Sequence, residues 1–276
     1  EVLATAMLEA LGVPTSRTFS LIETGEELVR GDEPSPTRSA VLVRLSHSHV
    51  RFGSFQRHAY FQSAERIGQL VDHVIELYYP ELSNAPDRAT ALLGAVAARA
   101  ARLTARWMTA GFVHGVLNTD NMNITGESFD YGPYRFLPRN DPNFTAAYFD
   151  TSGLYSFGRQ PETVFWNLQQ LAGTFTLVAP QEGLIEVLHG FGPAYRAELA
   201  AAMLTDTRIG GSPACCQMRF CLHAARMAHW SMSTIRRVSS AMGRNSPGST
   251  SRSPRCQRAR PSTPTIRPLR LSICGW

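Results

Sequence analysis

The 276-residue sequence is 43% hydrophobic and 18% charged, enough to bury one substantial core, or one core with an appendage. It holds no run of about 18 apolar residues, which argues against a transmembrane helix, and its opening Glu1-Val2-Leu3-Ala4 lacks the basic start of a secretory signal. The formal charge of +5 hides an asymmetry: residues 1–206 carry 15 Arg against 22 acidic residues, and residues 207–276 carry 12 Arg and no acid.

In chain order, residues 1–12 predict an amphipathic helix, with Val2, Leu3, Met7, Leu8 and Leu11 at helical spacing and Gly12 and Pro14 as its stop. A start inside a helix, without an initiator Met, reads as an N-terminal cut. Two β-rich runs, 18–22 and 40–45, follow around a polar loop holding Gly31, Pro34 and Pro36. A helix followed by strands is the order of a small α+β lobe. Residues 63–77 and 89–110 show helical periodicity, the second with a stripe of Leu92, Leu93, Val96, Ala100 and Leu103. Two short β-like runs flank the polar segment 114–132, and 162–177 and 184–204 predict further helices. The expected plan is bilobal, with a ligand in the cleft between a strand-rich part and a helical part.

Residues 207–276 lose helical periodicity, are rich in Arg, Ser and Pro, and hold all five Cys. A basic nucleic-acid-binding tail is disfavoured, because aromatics are few and no basic motif repeats. Cys215, Cys216 and Cys221 lack the second ligand pair of a zinc site. The segment reads as out-of-frame translation replacing a native C-terminal region, and residues 1–206 as the functional core.

Chemistry concentrates in 111–133. There Asp120 and Asn121 stand side by side, and Asp130 precedes Tyr131-Gly132-Pro133. A carboxylate and an amide oxygen brought together by a short hairpin are hard ligands for Mg²⁺ or Mn²⁺, and a second carboxylate is free to accept a hydroxyl proton. Turn residues capping a hairpin explain any one of Asn118, Asp120, Asn121 and Asn123 equally well. The spacing is what distinguishes the set. His114-x-Val116-x₄-Asn121 followed by Asp130-Tyr131-Gly132 matches the kinase catalytic loop and magnesium motif at every position but one, because Val116 replaces the kinase catalytic Asp.

These residues carry a resemblance. His114-Gly-Val-Leu-Asn-Thr-Asp-Asn-Met and Phe129-Asp-Tyr-Gly-Pro-Tyr resemble selenoprotein O, a family of kinase-like protein adenylyltransferases. Leu42-Val-Arg-Leu-Ser-His-Ser-His-Val-Arg-Phe-Gly-Ser-Phe and Gln160-Pro-x₄-Trp-Asn-Leu-x₂-Leu-Ala fit it too, and the likeness runs from Glu1 to about residue 205. It implies a protein-kinase-like bilobal α+β fold with an incomplete N-lobe and a mostly helical C-lobe. It also implies AMP transfer from ATP to Ser, Thr or Tyr hydroxyls of proteins, with Mg²⁺ or Mn²⁺. By this resemblance Asp120 is the general base, and Asn121 and Asp130 are the metal ligands, with Asp130 also touching the nucleotide. Arg44 and Arg51 contact ATP, and Glu1 takes the place of the family's helix-αC glutamate.

Each assignment has a plainer rival. Arg44 is also readable as the polar face of an edge strand, Arg51 as a surface ion-pair partner, and His47 and His49 as strand-face residues rather than a metal pair. His114 is expected to be structural. The family's glycine-rich loop and ATP-contacting Lys fall upstream of Glu1, and Gly153-Leu154-Tyr155 has Leu where the family pattern has a basic residue. The alternatives to adenylyl transfer are, in order, a catalytically inactive nucleotide-binding scaffold, a γ-phosphotransferase and a nucleic-acid-binding module. The expected setting is the bacterial cytoplasm, with no membrane and no nucleic-acid partner.

Overall fold

A computed structural model describes residues 1–29, 31 and 35–206, the side chains of 205 and 206 excepted. The expectations for the basic, Cys-containing tail lie outside the described residues. The described residues divide into two compact units, 1–20 with 43–206, and 21–42.

In the larger unit α1 (Val2–Ala10) buries Ala4 and Leu8, and it ends where Gly12 turns to φ +70°. The left-handed conformation suits Gly and lets Val13 N–H return to the Leu8 carbonyl at 2.9 Å. Strands β1 (Arg17–Leu28) and β2 (Thr37–Leu45) pair as a two-stranded sheet. In the smaller unit they are held by polar contacts, Thr24 Oγ1 to Ser39 Oγ at 2.5 Å and Arg38 to Glu23 at 3.2 Å, and both faces are largely exposed.

Five helices follow: α2 (Phe52–Tyr60), α3 (Ala64–Tyr78), α4 (Arg88–Thr109), α5 (Gln160–Phe175) and α6 (Gln181–Asp206). Local chemistry sets two of their starts. Ser63 Oγ accepts from Arg66 N–H at 3.4 Å at the head of α3, and Asp87 Oδ1 accepts from Thr90 N–H at 3.0 Å at the head of α4. Helix α4 is the spine of the unit. Its apolar stripe buries Leu92, Leu93, Val96, Leu103 and Trp107 against α5 and α6, which contribute Leu168, Phe175, Leu188, Phe191 and Tyr195. Each of these large side chains contributes about 1.5–3 kcal/mol by leaving water.

At the end of α4, β3 (Phe112–His114) pairs antiparallel with β4 (Tyr134–Phe136) in the register Phe112 to Phe136, Val113 to Arg135 and His114 to Tyr134. The chemistry-bearing segment is the loop between these strands. The described part of the chain is thus α+β, and no helix in it is long and apolar enough to cross a membrane.

Candidate active site

Strand β3 is too short to hold its own place, and α5 supplies what it lacks. Gln160, the first residue of α5, accepts the His114 N–H on Oε1 at 2.8 Å and donates from Nε2 to the Phe112 carbonyl at 2.9 Å. One side-chain amide therefore stands in for a second neighbouring strand. Asn167, about two turns further along the same face of α5, donates to the Leu117 carbonyl at 3.0 Å. Gly115 N–H donates to the Pro133 carbonyl at 2.8 Å, and a Cβ on Gly115 would overlap that carbonyl, so only Gly permits the approach.

His114 is fully buried and plays the structural part expected of it. Its Nδ1 accepts from Val116 N–H at 3.2 Å, which makes Nε2 the protonated nitrogen facing Ser128 Oγ at 2.7 Å. Burial holds its pKa down to about 4, against smaller opposing effects of Asp130. Ser128 Oγ lies 3.0 Å from the Asn121 carbonyl and 2.8 Å from the Asp130 carbonyl, so neutral His114 and Ser128 tie together the two ends of the candidate ligand pair.

The loop is zipped onto residues 46–52. Phe52 N–H donates to the Met122 carbonyl at 3.0 Å, Ile124 N–H to the Val50 carbonyl at 2.9 Å, and Asn123 Nδ2 to Ser46 Oγ at 3.3 Å. Tyr79 Oη reaches the Ile124 carbonyl at 2.6 Å from the end of α3, and burial pushes that phenol up to about 12. Residues 122–128 are buried throughout, while Asp120 is exposed. His47 and His49 do not sit on a strand face as expected. They lie in the loop after β2, where His47 Nδ1 meets Glu127 Oε1 at 2.5 Å and His49 sets its ring edge-on to Phe129 at 6.1 Å.

Arg44 and Arg51 converge on Phe129. The Arg44 guanidinium lies 5.5 Å and that of Arg51 4.4 Å from its ring centroid. Arg44 Nη2 also donates to the Phe129 carbonyl at 2.6 Å, and Arg51 Nη1 to the Asp120 carbonyl at 3.2 Å. The edge-strand reading of Arg44 is therefore wrong in its direction. Val43 and Leu45 are the exposed residues, and Arg44 turns inward to meet Glu1 at 2.9 Å.

Glu1 is also within hydrogen-bond reach of Asp130 and accepts from Tyr131 N–H at 2.8 Å. Burial, then the bond to Asp130, raises the Glu1 carboxyl to about 7. Burial pushes Asp130 the same way but is outweighed by the bonds from Glu1 and from Gly132 N–H, with the charges of Arg44 and His114 assisting, so Asp130 stays below the usual carboxylate range. The two carboxyls are thus driven in opposite directions, Glu1 upward and Asp130 downward, which makes Asp130 the stronger acid of the pair.

A divalent cation fits this donor set. Asn121 spends its Nδ2 on the Val116 carbonyl at 2.8 Å, which leaves Oδ1 without a hydrogen bond among the described residues, and Asp130 is ionised nearby in sequence. An amide oxygen and a carboxylate are hard ligands. No group of three or more His, Cys, Asp or Glu is arranged to hold a metal alone among the described residues.

A family model for protein adenylyltransferase SelO matches residues 1–219. The chain belongs to the SelO family. Its curated relatives include proteins named protein nucleotidyltransferase YdiU. That of Synechocystis sp. is 54% identical over 198 residues, covering 71% of this chain and 42% of the relative. That of Gloeobacter violaceus is 53% identical over 210 residues, covering 76% and 44%. The Pseudomonas entomophila protein is 43% identical over 197 residues, covering 71% and 40%. The chain thus spans under half the length of the SelO-family relatives it matches. Three residues that the sequence did not single out also border this loop: Ser128, Phe129 as a platform for two arginines, and Gly53, whose bare Cα faces Asp120.

Proposed function

We propose that residues 1–206 form the kinase-like core of a protein adenylyltransferase that moves AMP from ATP to Ser, Thr or Tyr hydroxyls of proteins in a bacterial cytoplasm. The observation that carries the reading is the attachment of both arginines to the backbone of the acid-bearing loop, Arg44 at Phe129 and Arg51 at Asp120. Two permanently charged forks are thereby held beside the acidic side chains of Glu1, Asp120 and Asp130, where a phosphate chain would otherwise be repelled.

Asp120 is exposed and is proposed as the base. It takes the proton from the acceptor hydroxyl as that oxygen forms its bond to the α-phosphorus, and the bond from the α-phosphorus to the pyrophosphate oxygen breaks. Arg44 and Arg51 hold the phosphates and take up the charge that develops on the leaving group. Asn121 and Asp130 are the residues that would hold Mg²⁺ or Mn²⁺, and a bound ion supplies charge neutralisation between the phosphates. Val116, in the place of the kinase catalytic Asp, offers no proton acceptor in its side chain, so the part of base falls to Asp120.

The test uses α-labelled and γ-labelled ATP with Mg²⁺ or Mn²⁺. It is run on this chain and on a chimera whose remaining length comes from the Synechocystis relative. Protein label from the α position, lost in Asp120→Ala and in Asp130→Ala, is the expected result. Label from γ alone would replace the reading with phosphotransfer. Thermal stabilisation by ATP with no label from either position would replace it with a nucleotide-binding scaffold.

A further inference from the structure

Gly53 is the second residue of α2, in the first helical turn, and its φ is not in the left-handed region. Its backbone is one that any residue could adopt, and Gly is a poor helix former there. Something other than conformation accounts for it. A Cβ built on Gly53 would overlap Asp120 Oδ1, stand 3.2 Å from Asp120 Cγ, and lie a comfortable 3.8 Å from Asp120 Cα. The conflict is therefore with the carboxylate and not with the backbone that bears it.

The surrounding contacts fix this relationship from both sides. Thr119 Oγ1 meets Gln56 Oε1 at 2.6 Å, one turn further along α2. Arg51, at the cap of α2, donates to the Asp120 carbonyl, and Phe52 N–H donates to the Met122 carbonyl. Asp120 N–H is itself held by Asn118 Oδ1 at 3.0 Å. With residues 118–122 pinned to the first turns of α2, a side chain at position 53 would have one soft neighbour to displace, the Asp120 carboxylate.

We infer that Gly53 is a positioning residue, whose missing side chain leaves the space in which the Asp120 carboxylate is held over the start of α2. This rests on the proposed role of Asp120 as base only for its effect on rate; the steric claim stands apart from it. A base displaced by about 1 Å loses on the order of a hundredfold in rate.

The experiment is Gly53→Ala, alone and combined with Asp120→Ala, in the full chain and in the chimera. A crystal structure of Gly53→Ala is expected to show the Asp120 carboxylate rotated away with α2 and the 118–122 backbone unmoved. A carboxylate still in place over a shifted helix would overturn the inference, whatever the reaction. Transfer from α-labelled ATP is expected to fall about a hundredfold, with the Kd for ATP unchanged and no further fall when Gly53→Ala is added to Asp120→Ala. Parental transfer by Gly53→Ala, or the same fold loss in the Asp120→Ala background, would overturn it. If Gly53→Ala alone fails to fold, the double variant is expected to fold, because the offending carboxylate is gone, and a double variant that also fails refutes the steric claim. If the parent chimera shows no Asp120-dependent transfer, the functional reading fails while the crystal structure still decides the role of Gly53.

Discussion

Arg44 closes on Glu1 at 2.9 Å, pairing a guanidinium with a carboxyl whose side chain is only 3% exposed. Arg44→Ala strands that group together with the Phe129 carbonyl. A deserted Glu1 can take up a proton, which limits the expected cost to about 2 kcal/mol. Arg44→Lys recovers only part, since a point charge cannot bridge both acceptors. Urea unfolding of the three proteins at neutral pH checks the order parent, Lys, Ala.

Arg51 has a different balance of duties. Its contact with the Phe129 ring is at the surface and contributes about 0.5–1 kcal/mol, so Arg51→Ala is expected to leave the thermal midpoint within about 3 °C. ATP affinity, measured by calorimetry in the chimera, is expected to fall at least about tenfold, the effect of losing one charge-assisted phosphate contact. Unchanged affinity would mean that Arg51 serves only to hold the loop.

The buried His114 makes an acid-sensitive contribution. Its pKa is near 6.5 in an unfolded chain and about 4 in the fold. Above pH 6.5 both states are neutral and the contribution is fully present. Between pH 6.5 and 4 the unfolded chain binds a proton that the fold refuses, and about 3 kcal/mol is lost. Glu1 works in the opposite sense, since its carboxyl is raised to about 7 and favours the fold most below pH 4.5. The two are separated by comparing unfolding midpoints of the parent and His114→Gln from pH 7 to 4.5: the variant is expected to lose less stability on acidification.

Gln160→Leu keeps the volume of a fully buried side chain but removes both bonds to β3. An unpaired His114 N–H and Phe112 carbonyl each cost about 1–3 kcal/mol, so a loss of about 3 kcal/mol is expected in urea unfolding. Gln160→Glu spares the His114 bond alone and is expected to fall between the two.

The sequence made α4 easy to find, because Leu92, Leu93, Val96, Ala100 and Leu103 lie on one face of an Ala-rich run. It hid α2, whose first turn contains Gly53 and whose buried residues reduce to Phe52 and Phe55. Strand β1 runs on past residue 22 because Glu23, Glu26 and Glu27 occupy a strand exposed on both faces, where no alternation can appear. The spacing of Asp120, Asn121 and Asp130 was legible, since side chains of a chemical type leave a mark in sequence. The joints that assemble the site were not. Arg44 to the Phe129 carbonyl, Arg51 to the Asp120 carbonyl and Gln160 to the open edge of β3 all end on backbone atoms, which every residue carries alike.

The burial of residues 122–128 beneath an exposed Asp120 has a consequence for anyone mutating this protein blindly. A library screened for silence would fill with collapsed chains whose lesions sit at Met122, Ile124 or Ser128, because those side chains answer to packing before they answer to nucleotide. On the proposed roles, Asp120 and Gly53 are among the few positions that would yield proteins impaired in transfer yet intact. Sorting clones by solubility before sorting them by activity would separate the scaffold's vocabulary from the chemistry's, and the short remainder would be a map of the reaction.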